Sequence, residues 1–191
     1  LDLNGKTLTG ESSILRNFNI KGHFSLLDSG NTGKVIATKQ NASLGPVFSV
    51  NAKSSFKLYG GTLTSLYSAE RGGVGLVQEG AMYMYGGVLE GGKATSTATN
   101  RGGGNLEVIS SGTFYMYGGT IRDGSAVSYG GNVSGYANAK IYLLGGVIEN
   151  GHSDMGGNDV SAKGNITVGG NVQIGEIYLF TGKLIKVSAD K

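Results

Sequence analysis

The chain contains no cysteine and no tryptophan, one proline, two histidines and only 15% charged residues. Without cysteine, neither a disulfide framework nor a thiolate metal site can form. The histidines, His23 and His152, lie far apart and lack the neighbours that a histidine-based metal or nucleophilic site needs. No apolar run approaches the roughly 18 residues of a membrane-spanning helix. We therefore expect no membrane insertion and no cofactor, apart from the calcium ion considered below.

Charge is sparse and evenly spread along the chain. The sequence has 16 Lys and Arg residues against 13 Asp and Glu, which gives a net charge of +3, and the basic residues form no run. Proteins that bind nucleic acid usually concentrate Lys and Arg on one face or in one segment. The sequence therefore predicts no nucleic-acid partner.

Glycine, by contrast, supplies 36 of the 191 residues, well over twice its usual share. It follows no Gly-X-Y period, which excludes collagen, and it is interleaved with Val, Ile, Leu, Phe and Tyr. That mixture is typical of many short strands joined by tight corners that need a positive φ. The length suits one domain with a sizeable core.

An internal repeat predicts how these strands are arranged. Four segments share an alternating strand, a Gly-Gly pair and a second strand: FKLYGGTL from Phe56, MYMYGGVL from Met82, FYMYGGTI from Phe114 and IYLLGGVI from Ile141. Their Gly-Gly pairs are 26, 32 and 27 residues apart. A second set of glycine corners lies between them, from Arg71, Arg101, Tyr129 and Met155. This period suits one turn of a β-solenoid, whereas leucine-rich repeats need another frame and propeller blades a longer period.

Looser versions of the repeat extend the stack at both ends. We expect one domain over 1–191, with irregular coils in 1–55, regular glycine-cornered coils in 56–161 and closing coils in 162–191. The stack has about seven coils, and 95–100 form a loop in the longest repeat. A cap within 1–20, further upstream residues or end-to-end association would protect the open strand edges. Lys183, Lys186 and Lys191 make the closing coil basic.

The pattern as a whole resembles a known family. LDLNGKTLTG, HFSLLDSGNTGKV, the repeated YGG strands and the closing GNITVGGNVQIGEIYLFTGKLIKV are similar to pectin-lyase-like regions of large secreted or cell-surface proteins of Gram-positive, often gut-dwelling, bacteria. The resemblance covers nearly the whole chain. It implies an all-β fold, a single-stranded right-handed parallel β-helix, and an extracellular location, secreted or attached to the cell wall.

Catalytic members of that family carry motifs that this chain lacks. Pectin-hydrolysing relatives have N-T-D, D-D, G-H-G and R-I-K, and the lyases cluster several acids for Ca²⁺ with an Arg or Lys as base. Here Gly151-His152-Ser153-Asp154 departs from G-H-G at its third residue, and the companion motifs are missing. The resemblance therefore predicts a fold and a location better than an activity.

Period-two alternation assigns the two faces of the repeated strand. Three columns point inward, formed by Phe56, Met82, Phe114 and Ile141, by Leu58, Met84, Met116 and Leu143, and by Leu63, Leu89, Ile121 and Ile148. Two columns point outward, formed by Lys57, Tyr83, Tyr115 and Tyr142 and by Tyr59, Tyr85, Tyr117 and Leu144. Six tyrosines would therefore share one flat sheet face.

Three interpretations of these tyrosines compete. Stacked rings stabilise neighbouring strands, which is a purely structural role. A ring with an apolar face and a hydroxyl also suits a pyranose, and a coil spacing of about 4.8 Å is close to the length of one sugar. An exposed aromatic patch equally fits a protein partner or self-association. The candidate ligand-binding residues are Tyr59, Tyr83, Tyr85, Tyr115, Tyr117 and Tyr142.

Carboxylates follow the Gly-Gly corner, where Thr64, Glu90, Arg122 and Glu149 form an outward column next to Asp123. Glycosidases hold two carboxyl groups about 5–9.5 Å apart, and Glu90 and Glu149, two coils apart, fall near the upper limit. Arg122 between them would keep both ionised, which favours a surface charge ladder. If the chain is a polysaccharide lyase or glycoside hydrolase, Glu90, Asp123 and Glu149 are its candidate catalytic residues.

Three further polar patterns concern the second set of corners. Asn105, Asn132 and Asn158 occupy matching positions, which predicts an internal amide ladder. Arg71 and Arg101 also match, and either hold an anionic sugar or pair with Glu70 and Glu107. The segment from Gly156 to Val160 faintly resembles a Ca²⁺-binding Gly-Asp repeat, with Asp154 and Asp159 as candidate ligands.

Taken together, these patterns favour a non-catalytic extracellular binding or adhesion module over an enzyme. Its most direct partner is a polysaccharide bound across the tyrosines, and a host or neighbouring surface protein is the other candidate. Two alternatives stay open: a β-helix polysaccharide lyase or glycoside hydrolase, and the structural shaft of a surface adhesin.

Overall fold

The structure, a computed structural model, describes residues 1–10, 18–38, 45–136 and 138–188. Within those ranges no helix is long and apolar enough to cross a membrane. The strands in chain order are β1 (Thr7–Gly10), β2 (Phe18–Ile20), β3 (His23–Leu26), β4 (Lys34–Ala37), β5 (Phe48–Val50), β6 (Ser55–Leu58), β7 (Thr62–Ser65), β8 (Ser68–Ala69), β9 (Gly75–Gln78), β10 (Ala81–Met84), β11 (Val88–Glu90), β12 (Lys93–Ala94), β13 (Leu106–Ile109), β14 (Thr113–Met116), β15 (Thr120–Arg122), β16 (Ser125–Ala126), β17 (Val133–Gly135), β18 (Lys140–Leu143), β19 (Val147–Glu149), β20 (His152–Ser153), β21 (Val160–Ala162), β22 (Ile166–Val168), β23 (Gln173–Ile174), β24 (Ile177–Leu179) and β25 (Ile185–Val187).

These strands form four parallel sheets that share one winding chain. Three sheets have seven strands, in the orders β1-β4-β7-β11-β15-β19-β23, β3-β6-β10-β14-β18-β22-β25 and β2-β5-β9-β13-β17-β21-β24, and a fourth has the order β8-β12-β16-β20. Each strand pairs with its counterparts one repeat earlier and later, which makes a β-solenoid of about six turns. The predicted parallel β-helix is confirmed, and the expected seven coils are close to the number found.

The core consists of the inward columns that alternation predicts. The side chains of Phe56, Met82 and Phe114 are fully buried and lie in register on β6, β10 and β14. The same holds for Leu58, Met84, Met116 and Leu143, and for Leu63, Leu89 and Ile121. Stacking equivalent residues at the strand spacing of about 4.8 Å gives a continuous apolar interior along the solenoid axis.

The Gly-Gly corners need glycine for two reasons. The second glycine of each pair has a positive φ, 79° at Gly87 and 90° at Gly119, a region that side chains rarely adopt. Space is also lacking, because a Cβ at Gly119 would lie 2.7 Å from the carbonyl oxygen of Gly87. The repeated corner therefore fixes where each strand of one sheet ends and the next sheet begins.

An outer layer covers the sheet that contains β9, β13, β17 and β21, a feature the repeat did not predict. Leu76, Glu107 and Ser134 alternate with core residues in these strands and should face solvent, yet they are 4%, 0% and 8% exposed. Glycine-rich segments lie directly over them: the amide of Gly102 donates to Oε1 of Glu107 at 3.2 Å. A Cβ at Gly102 would lie 3.3 Å from Ser134 Oγ, so the close approach of this layer depends on glycine.

The ends of the solenoid differ from its middle. Within 1–20, where the sequence allows a cap, β1 and β2 pair with β4 and β5 as members of the sheets. The segment 11–17 lies outside the described residues. At the other end, Ile185 and Val187 extend inward columns beyond Ile166 and Val168. They are nevertheless 44% and 83% exposed, because no coil covers them among the described residues. Lys191, predicted in the closing coil, also lies outside the described residues.

Candidate functional site: the tyrosine face

The outward surface of the sheet β3-β6-β10-β14-β18-β22-β25, called the tyrosine face below, carries all six tyrosines of interest. Strand register places Tyr83, Tyr115 and Tyr142 opposite one another, in a first tyrosine column. Tyr59, Tyr85 and Tyr117 come one residue after the ends of β6, β10 and β14 and form a second tyrosine column. The structure thus brings the predicted ligand-binding residues together, and Lys57 precedes the first column as the alternation predicts.

The rings within each column stack face to face. In the first column the ring centroids of Tyr83 and Tyr115 are 5.1 Å apart with planes 3° from parallel, and those of Tyr115 and Tyr142 are 4.6 Å apart at 9°. In the second column the two separations are 5.0 Å and 5.2 Å, both at 9°. Near-parallel planes at these centroid separations make each column a continuous stack of rings, within the range of about 4.5–7 Å of interacting aromatic pairs.

This stacking decides which parts of the rings a ligand can reach. A ring between two neighbours has both faces covered, so its exposed part is the edge that carries the hydroxyl. Tyr59, Tyr85 and Tyr117 are 45%, 43% and 44% exposed, which is a large solvent contact for stacked aromatic residues. Among the described residues, the structure gives no hydrogen bond to any of the six hydroxyls. As far as the described residues go, the tyrosine face therefore offers a double row of hydroxyls without a protein partner, and the end ring of each column has one face on which no ring of that column stacks.

The ladder also changes the acidity of its own phenols. Burial raises the pKa of Tyr115 above its ordinary value, and neighbouring Tyr142, Tyr83 and Tyr117 raise it further. The pKa of Tyr117 is raised by burial and then by Tyr85 and Tyr83. These hydroxyls stay protonated at physiological pH and can both donate and accept hydrogen bonds.

A cavity of about 590 Å³ opens at the start of the first tyrosine column. The ring of Tyr83, which stacks on Tyr115 on one side only, lines it together with Lys57. His23 Nδ1 and Ser55 Oγ lie 2.8 Å apart in the same wall. The other lining residues are Phe24, Ser25, Lys53, Ser54, Ala81 and Tyr85.

A second cavity, of about 270 Å³, opens at the other end of that column. Tyr142, which stacks only on Tyr115, lines it with Thr167 and Lys186, the next two residues of the same outward column. The remaining lining residues are Asn138, Ala139, Lys140, Ile141, Gly164 and Asn165. Both ends of the tyrosine column thus open into a concave surface that is lined by two lysines.

The candidate catalytic residues form a charge ladder on a different sheet. Register places Glu90, Arg122 and Glu149 side by side on β11, β15 and β19. Arg122 donates to Glu90 Oε2 through Nε at 3.0 Å and Nη2 at 2.7 Å, and Asp123 lies 3.6 Å from Nε. The hydrogen bond to Glu90, followed by its charge, raises the pKa of Arg122. The guanidinium thus lies between the two glutamates of the ladder and is hydrogen-bonded to one of them, Glu90.

The predicted amide ladder exists, but its third member is Asp159 and not Asn158. Register pairs Leu106, Val133 and Val160, so Asn105 and Asn132 face Asp159. Asn105 Nδ2 donates to Asn132 Oδ1 at 2.7 Å, and Asn132 Nδ2 donates to Asp159 Oδ1 at 2.9 Å. The prediction failed because the asparagine of the segment from Met155 comes one residue earlier than in the other segments. Asn158 therefore occupies the position that Gly131 occupies one coil before.

The candidate calcium ligands do not share a site. Asp159 is 4% exposed, and its oxygens accept from Asn132 Nδ2, from the amide of Gly151 at 3.0 Å and from the amide of Glu176 at 3.0 Å. Asp154 has a 56% exposed side chain, 3.2 Å from His152 Nε2. In the part of the chain that the structure describes, no three His, Cys, Asp or Glu side chains are grouped as a metal site.

The two arginines of the second corners pair with the predicted glutamates in unequal ways. Arg101 pairs with Glu70 at the surface, whereas Arg71 Nε lies 3.0 Å from Oε2 of Glu107, whose side chain is 1% exposed. Within the described residues, neither of these two atoms has a hydrogen-bond partner. Burial, only partly offset by Arg71 and the Gly102 amide, raises the pKa of Glu107 to about 7.

The matching of Arg71 with Arg101 is wrong by one residue. Gly75 pairs with Leu106, and the amide of Gly72 donates to the carbonyl of Gly102, so Arg71 lies opposite Gly102. The later coil has one more residue between its arginine and its strand. Arg101 consequently lies beside Glu70, which accounts for their ion pair.

Comparison of the chain with protein-family models finds no match, and comparisons with curated proteins and with solved structures find none either.

Proposed function

We propose that the chain is a non-catalytic, extracellular carbohydrate-binding module, secreted or attached to a cell wall, which binds a polysaccharide along the tyrosine face. The observation that carries the proposal is the double column of tyrosines, with three rings 43–45% exposed and stacked in register. Contiguous exposed aromatic patches on soluble proteins usually mark binding sites.

The stacked geometry refines how a glycan would bind. An extended polysaccharide repeats at nearly the same interval as the coils, which are about 4.8 Å apart. Hydroxyls of successive sugars can therefore meet hydroxyls of successive tyrosines, such as Tyr85 and Tyr117. Pyranose stacking on a ring face is best placed at Tyr83 and Tyr142, the end rings of the first tyrosine column, which line the two cavities. The middle of the ladder contributes hydrogen bonds and ring edges.

An enzymatic role has less support from the same geometry. A glycosidase needs one carboxyl group that holds a proton near neutral pH. Glu90 is instead hydrogen-bonded twice to Arg122, and Asp123 lies beside the same guanidinium. The group Glu90, Asp123 and Glu149 fits a surface charge ladder better than a catalytic pair.

The test compares wild-type protein with two double variants on affinity gels and glycan arrays. Replacing Tyr85 and Tyr117 by Ala removes rings and hydroxyls, and replacing both by Phe removes only the hydroxyls while keeping the stack. We expect both variants to lose binding by about tenfold or more, since each lost hydrogen bond weakens affinity several-fold. Tyr178→Ala, on a different sheet, is the matched control and should bind normally.

Two results would contradict the proposal. One is the absence of binding to every polysaccharide tested by a wild-type protein with a cooperative thermal unfolding transition. The other is equal loss of binding in Tyr178→Ala, which would show that the effect is not specific to the tyrosine face.

A structural shaft is the second candidate, supported by the exposed core at β25. Val187 continues an inward column but is 83% exposed, and an open strand edge readily pairs with another chain. End-to-end stacking would give a mass that rises with concentration in sedimentation or light scattering. Val187→Lys should then keep the chain monomeric, whereas Lys34→Gln should have no effect.

A further inference from the structure

The strands of the tyrosine face contain no acidic residue. The described strands β3, β6, β10, β14, β18, β22 and β25 read HFSL, SFKL, AMYM, TFYM, KIYL, ITV and IKV. Their charged side chains are Lys57, Lys140 and Lys186, besides His23. The sheet with β11 and β19, by contrast, presents Glu90 and Glu149. The described strands of the tyrosine face therefore carry basic side chains and no acidic one, whereas the sheet with β11 and β19 carries both signs, since it also holds Lys34 and Arg122.

Two of these lysines bracket the first tyrosine column. The register runs from Lys57 through the three tyrosines to Thr167 and then to Lys186, all in one outward line. Five strand spacings separate the two lysine positions, which is about 24 Å. The tyrosines thus occupy the middle of a track with a cation at each end.

The cavities at the two ends repeat the same combination of groups. The first holds Lys53 and Lys57 beside the face of Tyr83 that has no described tyrosine stacked on it. The second holds Lys140 and Lys186 beside the corresponding face of Tyr142. No described residue that lines either cavity is acidic. A free aromatic face next to a cation is suited to a sugar ring that carries an anionic group, because the ring packs on the face while the anion pairs with the amine.

We infer that the polysaccharide bound by the tyrosine face is acidic, with carboxylate or sulfate groups that pair with lysines at both ends of the first tyrosine column. This inference rests on the proposed function and names its ligand class. The middle of the ladder binds sugar hydroxyls, and the two end cavities bind charged sugars. Lysine is a compact charge on a flexible stem, so it accepts carboxylate and sulfate alike.

The experiment uses polymers that share a backbone and differ in charge. Carboxymethylcellulose is compared with hydroxyethylcellulose, and dextran sulfate with dextran, by affinity electrophoresis and calorimetry at about 50 mM and 500 mM salt. The test variant replaces Lys57 and Lys186 by Gln. Its control replaces Lys34 and Lys93 by Gln, which removes the same net charge from two other sheets. Poly(U) serves as a non-glycan polyanion.

We expect wild-type protein to bind at least one charged polymer about tenfold more tightly than its neutral partner at low salt, and to lose that preference at high salt. The test variant should lose the preference, and the control should keep it. Which charged polymer binds distinguishes carboxylate from sulfate recognition.

Each other outcome overturns a defined part of the inference. Equal binding of charged and neutral polymers would leave carbohydrate binding intact and refute the acidic ligand. Equal weakening in test and control variants would refute the two lysine sites, because net charge alone would explain it. Binding of poly(U) as tightly as the charged glycans would refute a glycan as the ligand. Failure to bind any polymer would refute the proposed function as well.

Discussion

The side-chain amide of Asn132 donates to Asp159 Oδ1 across 2.9 Å, which joins two coils inside the solenoid. Asn132 also accepts from Asn105 Nδ2 at 2.7 Å and from the amide of Gly124 at 3.0 Å, and it donates to the carbonyl of Glu149 at 2.8 Å. One fully buried side chain thus satisfies four polar partners from three successive coils. The ladder ties the corner backbone to the sheet stack and satisfies its buried polar groups.

Asn132→Ala should therefore be strongly destabilising. The change leaves the buried amide of Gly124 without its acceptor, which costs about 1–3 kcal/mol. It also removes one hydrogen bond each from Asn105, Asp159 and the carbonyl of Glu149, at about 0.5–1.5 kcal/mol per bond. We expect the free energy of unfolding to fall by at least about 3 kcal/mol, as measured by urea denaturation. Asn158→Ala is the control, because Asn158 is only half-buried and bonds Glu176 at the surface. Equal losses in the two variants would contradict the assignment of Asp159 as the third rung.

The buried Glu107 predicts a pH dependence of stability. Its pKa of about 7, against an ordinary 4.5, means that the folded chain binds a proton more tightly than the unfolded chain. The contribution of Glu107 to the free energy of unfolding should be largest below about pH 4.5 and should fall as the pH rises to about 7. At 1.36 kcal/mol per pH unit, the loss amounts to at most about 3 kcal/mol.

Glu107→Gln should remove this pH dependence and stabilise the protein at pH 8. Arg71, 22% exposed along its side chain, can then reach water. Thermal unfolding between pH 4 and pH 8 measures the effect. Glu70→Gln, which breaks only the exposed pair with Arg101, is the control and should leave the profile unchanged. A wild-type stability that rises between pH 5 and pH 7, by an amount that Glu107→Gln abolishes, would contradict the prediction.

Tyr115 should contribute more to stability than the tyrosines at the ends of its column. It stacks on Tyr83 and Tyr142, and aromatic pairs contribute about 0.5–1.5 kcal/mol each. Tyr115→Ala should cost about 2 kcal/mol and Tyr83→Ala about half of that. Tyr115→Phe keeps both stacks and should be nearly neutral. If Tyr115→Phe and Tyr115→Ala were equally destabilising in thermal unfolding, the hydroxyl and not the stack would be responsible.

The ladder should also be visible in a spectrophotometric pH titration. The raised pKa values of Tyr115 and Tyr117 place their ionisation above that of ordinary phenols. Because the folded state disfavours these phenolates, stability should fall as the pH rises past about 10. Replacing Tyr115 and Tyr117 by Phe should remove the last phenols to titrate. An unchanged titration curve at its high-pH end would contradict this assignment.

Much of the fold could be predicted because it depends on local rules. Alternation identified the buried columns of Phe56 and Leu58, and glycine pairs identified the corners, since both are features of the repeated sequence. The outer layer over Glu107 could not be predicted from the repeat. Its burial depends on which segment folds back over the sheet, and period two marks only the two faces of a strand.

The candidate site was predictable in position but not in orientation. Register alone placed the six tyrosines together, because equivalent residues of a regular repeat must align. Whether the ring of Tyr115 lies flat on the sheet or points its edge to solvent depends on the neighbouring coil. That coil supplies the ring of Tyr83, whose centroid is 5.1 Å from that of Tyr115. Differences of one residue in the length of the corners were not predicted either. They place Asp159 in the amide ladder and Arg101 beside Glu70.

The Gly-Gly corner provides the sharpest test of the repeat. Gly119 has φ of 90°, and an added Cβ would lie 2.7 Å from the carbonyl oxygen of Gly87 and from Met84 Cε. Gly119→Ala should therefore cost about 2 kcal/mol or more through backbone strain and displacement of the adjacent coil. Gly22→Ala is the matched control, since a Cβ there meets nothing within 4 Å and its φ lies outside the positive range. Urea denaturation should show a large loss for the first variant and none for the second. A neutral Gly119→Ala would mean that the corner relaxes freely, and would contradict the close approach of Gly119 to Gly87 in the adjacent coil.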